Sequence, residues 1–139
     1  MITKFLDFLQ RVDNDFPTPL SARVNLEEYA RKLTDHGFVS VTIKQGVIVG
    51  MVAMYCNDTE NSYAYIPLVA VDSQYRGQKI SKSLMDCAIA YARLNGFKTL
   101  GLHTENPVAL RLYESLGFVV IEDGHRKYLE LDLLKPIVI

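Results

Sequence analysis

Apolar side chains at Phe5, Leu6, Phe8, Leu9 and Val12 recur at helical spacing, so residues 3–13 read as an amphipathic helix with Thr3 as candidate cap. Residues 15–21, DFPTPLS, carry two prolines and read as a loop. A second helix starts after Asn25, whose side chain can cap it, with Glu28 three positions on to complete a capping box. Leu26, Tyr29, Ala30 and Leu33 form its stripe, and Gly37 closes it. Beyond Gly37 the chain turns β-rich, at 38–44 and 47–55, around the two-residue hairpin turn Gln45-Gly46. After the polar turn 56–62, CNDTENS, a third run follows at 63–71, YAYIPLVAV; the short links make the three strands antiparallel neighbours. Pro67 has no amide to give to a ladder, which predicts interrupted or bulged pairing near residues 66–68.

Helical spacing returns from Gly77 to Leu94, carried by Ile80, Leu84, Met85, Ala88, Ile89, Tyr91 and Ala92 and stopped by Asn95-Gly96. A strand over 97–104, a shorter helix over 107–116 stopped by Gly117, and two strands over 118–122 and 127–133 around Asp123-Gly124 complete the chain. Strand 63–71, helix 77–95 and strand 97–104 make one βαβ unit, hence a parallel pair with a right-handed crossover. The predicted class is α/β, more closely an α+β mixed sheet with helices on its faces. Its order is N-terminal helices, three antiparallel strands, the central βαβ unit, then a C-terminal helix and hairpin.

The 139 residues fit one domain, 1–139, long enough to bury a core without staples. Fifteen basic against 16 acidic side chains give net −1, so no overall field draws nucleic acid or an anionic membrane. Cys56 and Cys87 lack metal-ligand spacing and are expected as buried free thiols; no metal is expected. No apolar run approaches the ~18 residues of a bilayer span. The N-terminal stretch, broken by Asp7, is not expected to act as a signal peptide, and the cytoplasm is the expected compartment.

The chemistry-bearing stretch is Leu68 to Ser83, LVAVDSQYRGQKISKS: a strand, a polar turn, and a helix start flanked by Arg76, Lys79 and Lys82. Amides at a helix N-terminus are unpaired and carry partial positive charge, an arrangement that receives phosphates. Gly77 permits close backbone approach, and the three cations can add charge-assisted contacts. On the residues alone, a phosphate site and a solvated basic helix start both stay open. A P-loop and a dinucleotide fingerprint are excluded, because both need glycines that are missing here.

Residues 71–81, VDSQYRGQKIS, resemble the coenzyme A motif V-x-P-x-x-R-G-x-G-x-G/A of the GCN5-related N-acetyltransferase (GNAT) family. Residues 106–118, NPVALRLYESLGF, are similar to that family's N-x-x-A-x-x-L-Y-x-x-x-G-F. The likeness covers about residues 38–133, and the order of elements agrees; the family's usual first strand is short or absent here. Lys79 stands where the family has glycine, and Ser81 where it has glycine or alanine. Within a helix's first turn φ is negative and a side chain is tolerated. With both residues in that turn, two readings of Lys79 stay open: it lends a cation, or it crowds the pyrophosphate and weakens binding.

The resemblance implies acetyl-CoA as co-substrate and a primary amine as acceptor. The pantetheine arm would lie along Leu68, Val69, Ala70 and Val71 like an added strand, with an amide near Val69 polarising the thioester carbonyl. The pyrophosphate would sit on Arg76, Gly77, Gln78, Lys79, Ile80, Ser81 and Lys82. Asn106 would cap its helix or hold the pantetheine arm, Ala109 would line the cofactor, and Tyr113 would contact it and act as general acid. A phenol with pKa about 10 is a reasonable donor to a departing thiolate. For the base, Tyr65 stands where some family members have glutamate. His103, Glu105, Tyr63 and Tyr65 are candidates beside a water relay, and a purely structural His103 stays open. His36 and His125 fall in turns and carry no expected role. The alternative to an enzyme is a binding module of the same fold that senses acyl-CoA without turnover. A homodimer stays open.

Overall fold

A computed structural model describes residues 2–135. Four α-helices, α1 (Ile2–Val12), α2 (Leu26–His36), α3 (Ile80–Leu94) and α4 (Pro107–Ser115), accompany six strands. These are β1 (Gly37–Lys44), β2 (Val47–Asp58), β3 (Tyr63–Val71), β4 (Thr99–Thr104), β5 (Val119–Glu122) and β6 (Lys127–Asp132). They form one mixed sheet in the order β1-β2-β3-β4-β6-β5, the mixed α/β architecture expected from the alternation of periods. The chain folds as two compact units that share β2, β3 and α3. One comprises the residues up to Met54 with Leu68–Ala88, the other Tyr55–Pro67 with the residues from Ile89 onward.

In the first unit, α1 buries Phe5, Phe8, Leu9 and Val12, the stripe its spacing dictates. Asn25 caps α2 by accepting from the Glu28 amide at 3.0 Å, and Ala30 and Leu33 face the core. Gly37 ends α2 with an extended φ of −110°, not a left-handed cap, because β1 begins on it directly. His36 accordingly closes α2 and does not lie in a turn. Gln45 and Gly46 both have positive φ, 52° and 78°, as the tight β1–β2 turn requires. β2 runs to Asp58, three residues past the expected end. The proline-rich segment holds two short 3-10 turns, Asp13–Asp15 and Leu20–Ala22. It is tied where Asp13 accepts from the Ser21 amide at 2.7 Å and hydroxyl at 2.6 Å.

One residue the pattern left unremarked organises this unit. Arg11 reaches from α1 to Asp72 at 2.6 Å and to the Ile48 carbonyl at 2.6 Å, while Asp7 accepts from its Nε at 3.2 Å. Its guanidinium also stands 5.6 Å from the Phe8 ring centre, so charge and stem are both used. Gly50 lies under α3: a Cβ there would come within 2.7 Å of Ile80 Cγ2 and 3.2 Å of Leu84 Cδ1. Helix and strand pack at a distance only glycine allows.

In the second unit β3 and β4 are parallel, with the ladder running from Tyr63↔Thr99 to Ile66↔Leu102. The last of these pairs precedes Pro67, which agrees with the missing donor. Burial alternates on Ala64, Ile66 and Leu68 and then skips to Val71, so the period-2 register slips at Val69-Ala70, slightly beyond the expected 66–68. β6, not β5, lies beside β4, antiparallel, and β5 pairs outside it across an irregularity at Val120/Glu122.

α3 starts at Ile80, three residues later than its spacing predicts. Leu84, Met85, Ala88, Ile89 and Ala92 are buried on one side, whereas Tyr91 is exposed. Cys87 lies on the outward face as well, contrary to the expectation of a buried thiol, because positions 84, 85 and 88 already fill the inward stripe. Cys56 is half-buried, and burial pushes its thiol pKa up. Among the described residues, no cluster of three His, Cys, Asp or Glu side chains is placed to hold a metal ion.

Candidate active site

After β3 the first unit makes a short polar passage. Asp72 donates its amide to the Val49 carbonyl at 2.8 Å and its carboxylate caps the 3-10 turn Ser73–Tyr75, accepting from the Gln74 amide at 3.2 Å. Arg76 to Lys79 are exposed, and their backbone then turns left-handed twice, at Gly77 (φ 82°) and at Lys79 (φ 61°). Among the described residues, the amides of Gly77, Gln78 and Lys79 donate to no backbone carbonyl, and the first-turn amides of α3 lack intrahelical partners by construction. An exposed stretch of N–H groups without backbone partners results, and such stretches at helix starts bind anions.

Lys79 overturns its expectation. The residue lies outside the helix with positive φ; its carbonyl accepts the first bond of α3, from Ser83 at 3.2 Å. Lysine therefore sits in the conformation that glycine adopts at low cost, and Ser81 alone falls in the first turn. The left-handed region costs a residue with a Cβ about 1–2 kcal/mol, partly offset by glycine's extra unfolded freedom. Lys79→Gly is expected to raise the thermal midpoint by roughly 2–4 °C. A fall in midpoint on differential scanning would show that the turn is unstrained.

The other cations have partners. Arg76 donates from Nε to the Val71 carbonyl at 3.2 Å and from a terminal nitrogen to Asp15 at 2.8 Å, so its head is held beside the helix start. Lys82 pairs with Asp86 one turn on, at 2.9 Å. Both pairs are solvent-exposed and weak, leaving either cation free to exchange its partner for a phosphate. Upstream, Leu68 and Val71 are buried while Val69 and Ala70 are half-exposed, at the slip in register. Gln78 is exposed and Ile80 is buried.

In the second unit α4 carries the other predicted positions. Asn106 caps it, its side chain accepting from the amides of Val108 at 2.8 Å and Ala109 at 3.4 Å, and Pro107 occupies the first helical position. Of the two roles left open for Asn106, capping is the one observed. Ala109 is half-buried. Tyr113 is buried, its ring 5.9 Å from that of Phe118, and burial pushes its hydroxyl up to about 12.

The same unit gathers polar aromatic side chains on one face of β3, β4 and β6. The register puts Tyr65 beside Gly101, Gly101 beside Glu130, and His103 beside Tyr128. Tyr65 Oη and His103 Nδ1 are 2.6 Å apart, and the His103 ring lies 4.8 Å from that of Tyr128. Tyr63 Oη meets Tyr128 Oη at 2.6 Å, and Tyr128 donates onward to Glu130 at 2.9 Å. Burial first, then Arg126, pulls His103 below the usual 6.5, so the imidazole is neutral at neutral pH. Of the base candidates, Tyr63, Tyr65 and His103 come together here; Glu105 instead stands 3.8 Å from His125. Tyr128 and Glu130 join this cluster although the sequence pattern did not single them out. Their alternation on a half-buried strand, and an isolated glycine inside the apolar run LGLH, were the available signals.

The model of the acetyltransferase (GNAT) family matches residues 5–118. The chain is 35% identical over 96 residues to N-acetylaspartate synthetase of Xenopus tropicalis, a match over 68% of this chain and 35% of that protein. It thus spans about a third of that relative's length. With N-alpha-acetyltransferase 30 of Saccharomyces cerevisiae it shares 29% identity over 143 residues, covering 97% of this chain and 81% of the relative. A chain of the NatC complex bound to Gag peptide and CoA superposes with TM-score 0.75 at 26% identity, over 93% of this chain and 90% of that one.

Proposed function

This chain belongs to the acetyltransferase (GNAT) family, and we propose that it transfers the acetyl group of acetyl-CoA to a primary amine by direct attack. The observation that carries this reading is the exposed, unpaired run of amides from Gly77 into α3, shaped by two left-handed residues and flanked by Arg76 and Lys82. Such a run suits the diphosphate of the donor. The names of the relatives, an N-alpha-acetyltransferase and an N-acetylaspartate synthetase, favour an α-amine as acceptor.

The steps follow from the charges. A cationic amine loses one proton to the base, its lone pair attacks the thioester carbon, and a C–N bond forms as the C–S bond breaks. A second amine proton ends on the departing sulphur, so one proton is released per acetyl group moved. In this proposal Val69 gives the amide that holds the carbonyl oxygen, and Leu68 to Val71 pair with the pantetheine arm. Tyr113 serves the sulphur and Ala109 lines the cofactor. Tyr65 and His103 form the base: the amine proton passes to the Tyr65 oxygen as the phenol proton passes to His103 Nδ1. This needs a neutral imidazole, which burial favours.

Release of free thiol from acetyl-CoA with a panel of primary amines tests the activity. Binding of acetyl-CoA with no turnover on any amine would point instead to a sensing module. For the base, an alkylamine that stays cationic from acid to neutral pH keeps a proton to be removed and leaves the enzyme's own titration visible. Protonation disables the imidazole, so kcat/KM is expected to drop on the acid side through an apparent pKa below 6.5. His103→Gln is expected to abolish that limb and to lower the plateau by about 10²-fold. An unchanged profile in the variant would remove His103 from the mechanism.

A further inference from the structure

The donors and acceptors of the Tyr63–Tyr128–Glu130 chain have a single consistent assignment. Tyr128 has one hydroxyl hydrogen, and it goes to Glu130 Oε2 at 2.9 Å, since an ionised carboxylate only accepts. In the 2.6 Å contact between the two phenols, Tyr63 must therefore be the donor. The chain thus runs one way, from Tyr63 through Tyr128 to Glu130, and begins on a Tyr63 oxygen that retains acceptor capacity. A negative charge at the far end polarises both hydroxyls toward it and makes that first oxygen a better acceptor.

Gly101 makes the meeting possible. A Cβ on it would collide with the Tyr63 hydroxyl and lie 2.6 Å from the Tyr128 hydroxyl, so both phenols lean over β4 into the space a side chain would fill. Tyr65, opposite Gly101, and His103, two residues further along β4, stand on the same face. The result is an acceptor oxygen, a carboxylate and a base pair within one aromatic cluster, all half-buried. Aromatic faces and a carboxylate together suit a cation.

We propose that Tyr63, backed by Tyr128 and Glu130, is the subsite that receives the ammonium group of the acceptor, so that the substrates are aliphatic primary amines, cationic at neutral pH, in preference to uncharged amines. The assignment rests on the acetyltransferase reading. One N–H of the ammonium is held by Tyr63, the Glu130 charge balances the cation, and a second N–H is left to the Tyr65–His103 pair.

The test uses the full chain and thiol release with two acceptors: the best alkylammonium of the panel and an alkoxyamine, which is uncharged at neutral pH. Tyr63→Phe and Glu130→Gln, both close in shape to the parent, are each expected to lower the alkylamine-to-alkoxyamine ratio of kcat/KM by about tenfold. The change should appear in the KM for the alkylamine, with the KM for acetyl-CoA unmoved. Glu60→Gln, on an exposed turn, should leave the ratio alone. Turnover of both acceptors with the ratio unchanged in Tyr63→Phe and Glu130→Gln overturns the subsite and leaves the acetyltransferase reading standing. Failure of the parent protein to turn over any amine overturns both.

Discussion

Tyr113→Phe is expected to cut kcat by about 10²–10³-fold at saturating acetyl-CoA while the Kd for acetyl-CoA moves by less than about threefold. The reason lies in what burial does to the phenol. Its pKa of about 12 keeps the hydroxyl protonated at any working pH. A thiol resembling cysteine has pKa about 8.5, so complete transfer from this phenol to the sulphur is uphill by about 3.5 units, roughly 5 kcal/mol. In the proposed mechanism the hydroxyl therefore acts as a hydrogen-bond donor to the sulphur as charge develops there, and the proton that ends on sulphur comes from the amine. This reading gives Tyr113 a hydrogen-bonding part beside the general-acid role that the family resemblance implies. A donor that strengthens only as charge appears acts on the transition state, which is why binding should be spared. The ring is retained against Phe118, and burial is the sole cause of the shift, with no hydrogen-bond partner among the described residues to lose, so the fold should tolerate the change. Isothermal titration beside steady-state rates decides the matter. Equal losses in binding and turnover would reduce Tyr113 to a wall of the pocket.

Gly77→Val should abolish the protection that acetyl-CoA gives against heating. At a ligand concentration of about 100 Kd the parent protein gains about 2.7 kcal/mol, equivalent to a rise of roughly 10 °C for a chain of this size. Gly77 has φ 82°, and a Cβ placed on it would have nothing within 4 Å, so a side chain meets no wall. The penalty is conformational: a β-branched residue leaves the left-handed region and turns the following amides away from a common point. The free protein should lose only about 1–2 kcal/mol, while the ligand-induced rise should disappear. A rise equal to that of the parent would remove the phosphate from this turn.

Much of the architecture was legible because it follows from local periods. The stripe of α1, the Asn25 cap, the Gln45-Gly46 turn and the βαβ order all rest on residues near one another in the chain. So did the two stretches that resemble the family's motifs, around Arg76-Gly77 and around Asn106 to Phe118. The start of α3 was not legible, because Gln78 and Lys79 look helical by composition while the backbone turns left-handed through Gly77 and Lys79. The exposure of Cys87 was hidden for a related reason: a period assigns a face only after its phase is known.

Local order in the chain thus dictated the elements, their sequence and the place of the turn proposed for the diphosphate, since propensity, capping and turn chemistry act over a few residues. The partnerships Arg11–Asp72, Tyr65–His103 and Tyr63–Tyr128–Glu130 join positions far apart in the chain, and they arose from strand order and register. Which side chains share a face across β3, β4 and β6 depends on how the strands are aligned, and a shift of one residue would send all of them to the opposite side. The missing side chain of Gly101 acquires meaning only once two tyrosines from neighbouring strands lean over it, and no pattern along a single strand carries that information.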